Sequence, residues 1–583
     1  MLHPDLQAAA RESVLRLTLY YAGMRVGLGL LISVWIAGMV WAAQQTKPAA
    51  DAKPDPPAIL SEAEGLYRKG SFDSAIARYN DLLKAEPTSG DAYAGIIRCY
   101  LKQDKVQEAD DTLRKALQTV PSHPEVKVAE GELLFRQGEI PEARELFSEV
   151  IASPPDPTQP NSKPSARAYL GAARVAAASA MYARENILLK RALALDASDS
   201  DIQKLWIDMQ SMADRIHSLA DYLAQPTSDD EDTRRRLRER LELLKASQSA
   251  PQGRCQPASD FTGTKTTLAS ISLGGLGGAS GSGLDVQING KPSRLLLDTG
   301  ASGITISSHI ASQAGLTQVS AGRISGIGDK GEVLAQLAYA NSVQIGNMEF
   351  HNCPLYVIER VPRDTDGVIG ADVFSQFLIE LDFPTSTLTL SRLPPRLGQT
   401  VSKASLKLGD DDPAMETGEK RSLDSATDSE TRTATRYEDR YIAPEMHSYV
   451  QIFRLGHMLL VPTTINENAI KLFLLDTGAF DNTITPVVAR EVTKVHRAPR
   501  IDLRGANGDV KKVYVASRVT IDFGHLRQQV PDMVSFDMSR VSRQAGTEIS
   551  GTLGMAMLHL LTVRLDYRDA LADFQYTAKP PHR

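Results

Sequence analysis

Two stretches of the chain end an apolar run in the same three residues. Leu295-Leu-Leu-Asp298-Thr299-Gly300 is followed by Ala301 and Ser302, and Leu472-Phe-Leu-Leu-Asp476-Thr477-Gly478 by Ala479 and Phe480. A strand that stops in Asp-Thr-Gly leaves a carboxylate at its end, with a glycine that lets the backbone turn tightly and bring its amides near. Two such carboxylates a few ångströms apart cannot both ionise, so one keeps a proton and the other stays basic. A water held between them becomes a nucleophile with a base on one side and an acid on the other. One Asp-Thr-Gly would arise by chance in roughly one chain of this length in ten, and it also makes an ordinary strand-ending turn. Two copies in matching surroundings are not explained that way.

The surroundings repeat as well. Gly370, in Gly367-Val368-Ile369-Gly370, comes 72 residues after Asp298; Gly554, in Gly551-Thr552-Leu553-Gly554, comes 78 residues after Asp476. Twelve residues past each inner glycine stands an acidic-aromatic pair, Asp382-Phe383 and Asp566-Tyr567, read as structural. Asp372 has no counterpart, because Ala556 fills its place. Each half also has a glycine-bearing polar segment suited to a hairpin tip: Gly326, Gly328 and Gly331 in the first, Gly505 and Gly508 in the second. Asn507-Gly508 is a two-residue turn signal. Residues from about 265 to 580 thus look like one β-rich unit written twice.

These residues resemble the retropepsin-like aspartic proteases, in particular bacterial proteins with such domains in tandem. The resemblance implies an all-β, two-lobed, pseudo-dimeric protease with Asp298 and Asp476 catalytic. It further implies that Gly300 and Gly478 shape the turns, that Thr299 and Thr477 brace the pair by crossing bonds, and that Gly370 and Gly554 pack beside it. The tips at Gly326 and Gly328, and at Gly505 and Gly508, would be flaps closing over an extended substrate. Neither tip carries the Tyr of pepsin-type flaps. The second copy departs at Thr552, where an aliphatic residue is expected, and at Phe480, where the first copy has Ser302.

Such a dyad needs a large scaffold, and 583 residues are enough for three or four domains. A net charge of −6 gives no reason to expect a nucleic-acid partner. Cys99, Cys255 and Cys353 have no metal-ligand spacing, so neither metal nor cofactor is expected. In an exported chain Cys255–Cys353 is the plausible bridge; free buried thiols are the other reading. His447, His457, His525 and His559 lack ligand spacing and read as surface or satisfied core histidines.

In chain order, residues 1–25 flank an uncharged apolar run at 26–43, a signal peptide or a membrane anchor. The basic residues before it place the rest of the chain outside the cytoplasm. A Pro/Ala/Lys/Asp linker spans 44–57. Over 58–250, Gly70, Asp104 and Gly138 recur every 34 residues, as do Ala75, Ala109 and Ala143, and Pro87, Pro121 and Pro155. That period is the signature of tetratricopeptide repeats, an all-α domain. Its role is either a concave surface for a protein partner or a spacer. The run from Asp229 to Leu241 reads as a solvated helix, acidic at its N-terminus, with an Arg-rich binding face as the alternative. A Gly/Ser-rich linker at 251–283 leads to a first protease half at 284–394. A connector rich in charged and hydroxyl residues follows at 395–440, and a second half at 441–580.

The expectation is an aspartic endopeptidase acting on proteins or peptides. The alternative is an inactive protease-fold scaffold that binds partners through its repeats. A further variant pairs each half with its twin from another chain.

Overall fold

The computed structural model describes residues 55–153, 165–248, 255–258, 263–272, 280–324, 326–327, 331–362, 364–396, 440–501, 503–505 and 508–576. The apolar run at 26–43 lies outside them. Among the described residues no helix is long and apolar enough to cross a membrane.

Eleven described helices come first: α1 (Pro56–Arg68), α2 (Phe72–Ala85), α3 (Gly90–Lys102), α4 (Val106–Thr119), α5 (Pro124–Arg136), α6 (Ile140–Ala152), α7 (Ala166–Ala178), α8 (Tyr182–Leu195), α9 (Ser200–Asp208), α10 (Met212–Ala224) and α11 (Glu231–Gln248). The first ten pair as five hairpins, and α11 packs against α10. Gly70, Asp104 and Gly138 turn the chain with φ of 74°, 59° and 83°, the left-handed region that selects Gly or Asp. A fourth such turn falls at Ala180 (φ 56°), shifted out of the 34-residue register by the Pro-rich stretch before α7. Ala75, Ala109 and Ala143 are fully buried where helices meet. Helix approach is close enough that a Cβ on Gly95 would lie 2.3 Å from the Tyr79 ring.

The first helices of successive hairpins are tied to one another by ion pairs. Arg98 on α3 meets Glu132 on α5 at 2.9 Å, and Arg167 on α7 meets Glu132 at 2.6 Å and Asp199 at 2.6 Å. Lys102 reaches Asp201, 99 residues away on α9, at 2.5 Å. Glu132 and Asp201 are buried. The helical stack is therefore filled along its inner side by its own charges.

The described strands are β1 (Gln256–Pro257), β2 (Gly263–Ser272), β3 (Ser280–Ile288), β4 (Lys291–Asp298), β5 (Ile304–Ser307), β6 (Thr317–Ile324), β7 (Val333–Ile345), β8 (Met348–Ile358), β9 (Gly367–Gly370), β10 (Phe377–Asp382) and β11 (Thr387–Arg392) in the first lobe. The second lobe has β12 (Val450–Gln451), β13 (Phe453–Leu455), β14 (Met458–Ile465), β15 (Ala469–Leu475), β16 (Thr483–Ile484), β17 (Val495–Arg497), β18 (Leu503–Gly505), β19 (Gly508–Val510), β20 (Val513–Phe523), β21 (Leu526–Phe536), β22 (Gly551–Leu553), β23 (Leu561–Asp566) and β24 (Leu571–Tyr576). Both lobes repeat one pattern. β4 runs parallel to β9 and β15 parallel to β22; β5 lies between β8 and β9 as β16 lies between β21 and β22. Apolar side chains alternate inward along these strands, for example Phe377, Ile379 and Leu381 on β10.

The stretch expected as a linker at 251–283 is corrected over its described residues, 255–258, 263–272 and 280–283. It supplies β1, β2 and the start of β3, with β2 hydrogen-bonded to β11 and β3. Gly283 serves packing: a Cβ there would lie 2.6 Å from Ile271 Cδ1. Cys255 and Cys353 form a disulfide, and Cys99 is a buried free thiol. The bridge fastens the chain, just after α11, to β8.

The lobes are joined through their last hairpins, β10–β11 and β23–β24. β10 pairs antiparallel with β23: Leu378 lies opposite Asp566, Glu380 opposite Arg564, and Asp382 opposite Thr562. The register is symmetric about Glu380 and Arg564, which hold equivalent places in the two copies. Asp382 and Asp566 close their hairpins, accepting from the amides of Thr385 and Asp569 at 3.1 Å.

The helical region is fastened to the second lobe. Phe135, Ile140 and Val175 share one buried cluster with Leu472, Leu474, Val534 and Ile549. The Glu548 amide donates to the Arg136 carbonyl at 2.9 Å.

Candidate active site

β4 ends at Asp298 and β15 one residue before Asp476, where the next residues leave their own sheet for the opposite lobe. The Thr299 amide donates to Thr477 Oγ1 and the Thr477 amide to Thr299 Oγ1, both at 3.0 Å. Each hydroxyl then donates across the lobe boundary, Thr299 to the Leu475 carbonyl at 2.7 Å and Thr477 to the Leu297 carbonyl at 2.9 Å. Both threonines are buried. Four bonds over two residues fix the two turns against each other, so the carboxylates behind them meet.

Gly300 and Gly478 line that meeting place. The Gly300 amide donates to Asp298 Oδ1 at 2.8 Å, and the Gly478 and Ala479 amides donate to Asp476 Oδ1 at 3.0 Å. A Cβ on Gly478 would lie 2.4 Å from Asp298 Oδ2, and one on Gly300 would lie 3.0 Å from Asp476 Oδ1. Each glycine thus faces the other lobe's carboxylate, and no side chain fits there.

Gly370 and Gly554 stand directly behind. β9 brings Gly370 opposite Asp298, and β22 brings Leu553 opposite Leu475. A Cβ on Gly370 would lie 2.5 Å from the Ala301 carbonyl oxygen, and one on Gly554 would lie 2.4 Å from that of Asp481. The loop after each aspartate therefore crosses bare backbone. The lobes pin that loop differently. In the first, buried Asp372 accepts from Ser302 Oγ at 2.9 Å and from the Gly303 amide at 3.0 Å. In the second, Asn482 from the loop accepts from the Gly554 amide at 2.8 Å. Thr552 is buried, and its hydroxyl pairs with Thr483 at 2.8 Å, so its departure from an aliphatic costs no unpaired group.

Electrostatics follow from burial. Burial pushes both carboxyls above the ordinary carboxylate range. For Asp298 the rise is opposed by the Gly300 amide, the bond to Asp476, His457 and the Gly478 amide. Asp476 is raised further, by burial and then by the charge of Asp298 beside it. The pair keeps one proton. His457, between β13 and β14, was not marked by its spacing; it favours the charged form of Asp298 from the opposite lobe.

The flap residues fall on two hairpins. β6 and β7 form the first, with their last pair at Ile324 and Val333. Gly326 lies in its tip, and Gly328 lies outside the described residues. β18 and β19 form the second, with Gly505 opposite Gly508. Gly508 is therefore on a strand, and residues 506 and 507 lie outside the described residues. The tips meet: a Cβ on Gly505 would lie 2.1 Å from the Ile327 carbonyl oxygen. Ile327, Leu503 and Val510 pack onto the same apolar cluster as Phe536 and Met538.

Comparison with known proteins finds similarity to two families. The aspartyl protease family model matches residues 284–373 and 461–557, and tetratricopeptide repeat models match 66–115 and 101–160. The general transcriptional corepressor ssn6 of Schizosaccharomyces pombe is 30% identical over 102 residues, which are 17% of this chain and 9% of that protein. The chain thus spans less than a tenth of that relative. A solved structure titled as a functional characterization of Pseudomonas aeruginosa pilF is 18% identical with a TM-score of 0.22, covering 33% of this chain and 85% of its own. PilW, described as a widely conserved type IV pilus biogenesis factor, is 20% identical with a TM-score of 0.23, covering 33% and 87%. The match to two protease segments, each with its own Asp-Thr-Gly, gives the conclusion: this chain carries aspartyl protease domains in tandem behind tetratricopeptide repeats.

Proposed function

We propose that the protein is an aspartic endopeptidase whose single dyad, Asp298 and Asp476, comes from two lobes of one chain. The observation that carries this is the reciprocal threonine bonding, which sets the twin turns face to face with their carboxylates in contact. A peptide lies extended between flaps and dyad and pairs as an added strand. The charged carboxylate takes a proton from the water between the two, and the water oxygen attacks the peptide carbonyl. The protonated carboxyl donates to the carbonyl oxygen as negative charge develops there. The nitrogen of the cleaved bond leaves with a proton from the dyad, and the pair again holds one proton.

The ion pairs that fill the helical stack from α3 to α9 favour a supporting role for the repeats over capture of a peptide along that inner side. A site outside the cytoplasm is supported by the Cys255–Cys353 disulfide, since such bonds persist in oxidising compartments, and by the apolar run at 26–43.

Cleavage of a mixed peptide library by the full chain tests the proposal. Asp298→Asn and Asp476→Asn are each expected to lower kcat/KM by at least about a hundredfold. Undiminished cleavage in either variant would refute the shared dyad. No cleavage by the unaltered chain at any pH would favour the scaffold reading.

A further inference from the structure

The helical region touches the first flap as well as the second lobe. α11 runs along β6. Leu243 of α11 packs against Gly322, where a Cβ would lie 3.2 Å from its Cδ1. One turn back, Glu239 faces Arg323 at 3.7 Å. A further turn back, Arg235 reaches Glu332 at 2.7 Å, across 97 residues of sequence. Glu332 directly precedes β7, at the base of the flap tip.

The Arg235 guanidinium is held ready for this contact by its own helix. Asp232, three residues before it, accepts at 2.7 Å, and Glu239, four residues after it, accepts at 2.9 Å. The opposite side of α11 is anchored in the helical stack. Leu237, Leu241 and Leu244 pack with Ile207, Leu219 and Tyr222, and Arg240 meets Asp208 at 2.7 Å. Glu332 thus meets a fixed support. At its other end the flap rests on the second lobe: Ile327 lies over Gly505, and Gly331 stands 3.5 Å from Arg540 Nη1, measured from its Cβ position.

We propose that α11 is a brace for the first flap, and that Arg235 and Glu332 are positioning residues that keep the flap seated for cleavage. This rests on the reading of the site as a protease. Arg235 and Glu332 take no part in the hydrogen bonds around the carboxylates, so they act on the closed population of the flap. A substrate whose competent enzyme state is less populated binds more weakly in proportion to that loss. Weakening the brace therefore raises KM and leaves the chemical step alone.

The test uses the full chain with Arg235→Ala, Glu332→Ala and the double variant. Amide hydrogen exchange over residues 317–345 in the substrate-free protein reads flap seating directly. Each single variant is expected to speed exchange there severalfold and to raise KM by about twofold to fivefold, as for a partly exposed ion pair, with kcat within about twofold. The double variant is expected to match the singles, since both remove one contact. Glu332→Ala leaves the helix untouched and so separates flap loosening from damage to α11. Unchanged exchange in both singles would overturn the proposal, as would faster exchange without a rise in KM. If the unaltered chain cleaves nothing, the protease reading fails on that result, while the exchange measurement still decides whether α11 braces the flap.

Discussion

At Thr299 the hydroxyl accepts the Thr477 amide hydrogen and gives its own to the Leu475 carbonyl, and Thr477 returns both bonds. A valine at either place keeps the shape but orphans a buried amide and a buried carbonyl. Thr299→Val is expected to cost about 2–6 kcal/mol, from one to three for each orphaned group, read by denaturant unfolding of the full chain; Thr299→Ser should cost much less. The motif was legible at this scale because both halves write it identically. Asp372 was not, because comparing the halves position by position sets it against Ala556. Its work in the second lobe is done from the loop side by Asn482, and no spacing rule links residues that reach one backbone from opposite directions. His457 was hidden for the same reason, since its effect falls on the other lobe.

The strands that join the lobes carry their own pairing code. Glu380 and Arg564 hold equivalent positions at the centre of a symmetric register and meet at 2.7 Å. Pairing two first lobes would set Glu against Glu, and two second lobes Arg against Arg. The charges therefore favour unlike lobes, which one chain supplies. Each side chain is about one-third exposed, so the gain is modest, about 0.5–1 kcal/mol. Glu380→Arg should lower unfolding stability by that order, and Glu380→Arg with Arg564→Glu should restore it. Beside this pair, burial and then the charge of Asp569 push Asp566 up to about 6. A carboxyl raised on folding binds its proton more tightly in the folded chain. Its stabilising contribution is full below the ordinary carboxylate range and is lost as pH rises through about 6. Asp566→Asn should flatten that part of the stability curve in thermal unfolding across pH; an unchanged curve would show that Asp566 titrates normally. The duplicated strands were readable from apolar runs ending in motifs. The start of the first lobe was not, because Gly and Ser between 251 and 283 read as a joint, while in the sheet Gly283 makes room for Ile271.

Taken whole, the helical region and the two lobes are one construction. The repeats bury Phe135 and Val175 against the second lobe, and the Cys255–Cys353 bond ties the exit from α11 to the first. That bond closes a loop of 98 residues. Its reduction is expected to lower stability by about 2–4 kcal/mol, seen as a drop in Tm with reductant that a Cys255→Ser/Cys353→Ser chain does not show. The period of 34 announced the repeats, but which of their faces would be covered depended on a domain more than a hundred residues further on. The central claim is that one chain completes the dyad by itself. Mixing the full-length Asp298→Asn and Asp476→Asn chains and measuring peptide cleavage tests it most directly. Each variant keeps one intact aspartate in a different lobe, so a self-contained site predicts a mixture as inactive as its components. Recovery of about a quarter or more of the unaltered activity, as random exchange of lobes between chains would give, would contradict the account.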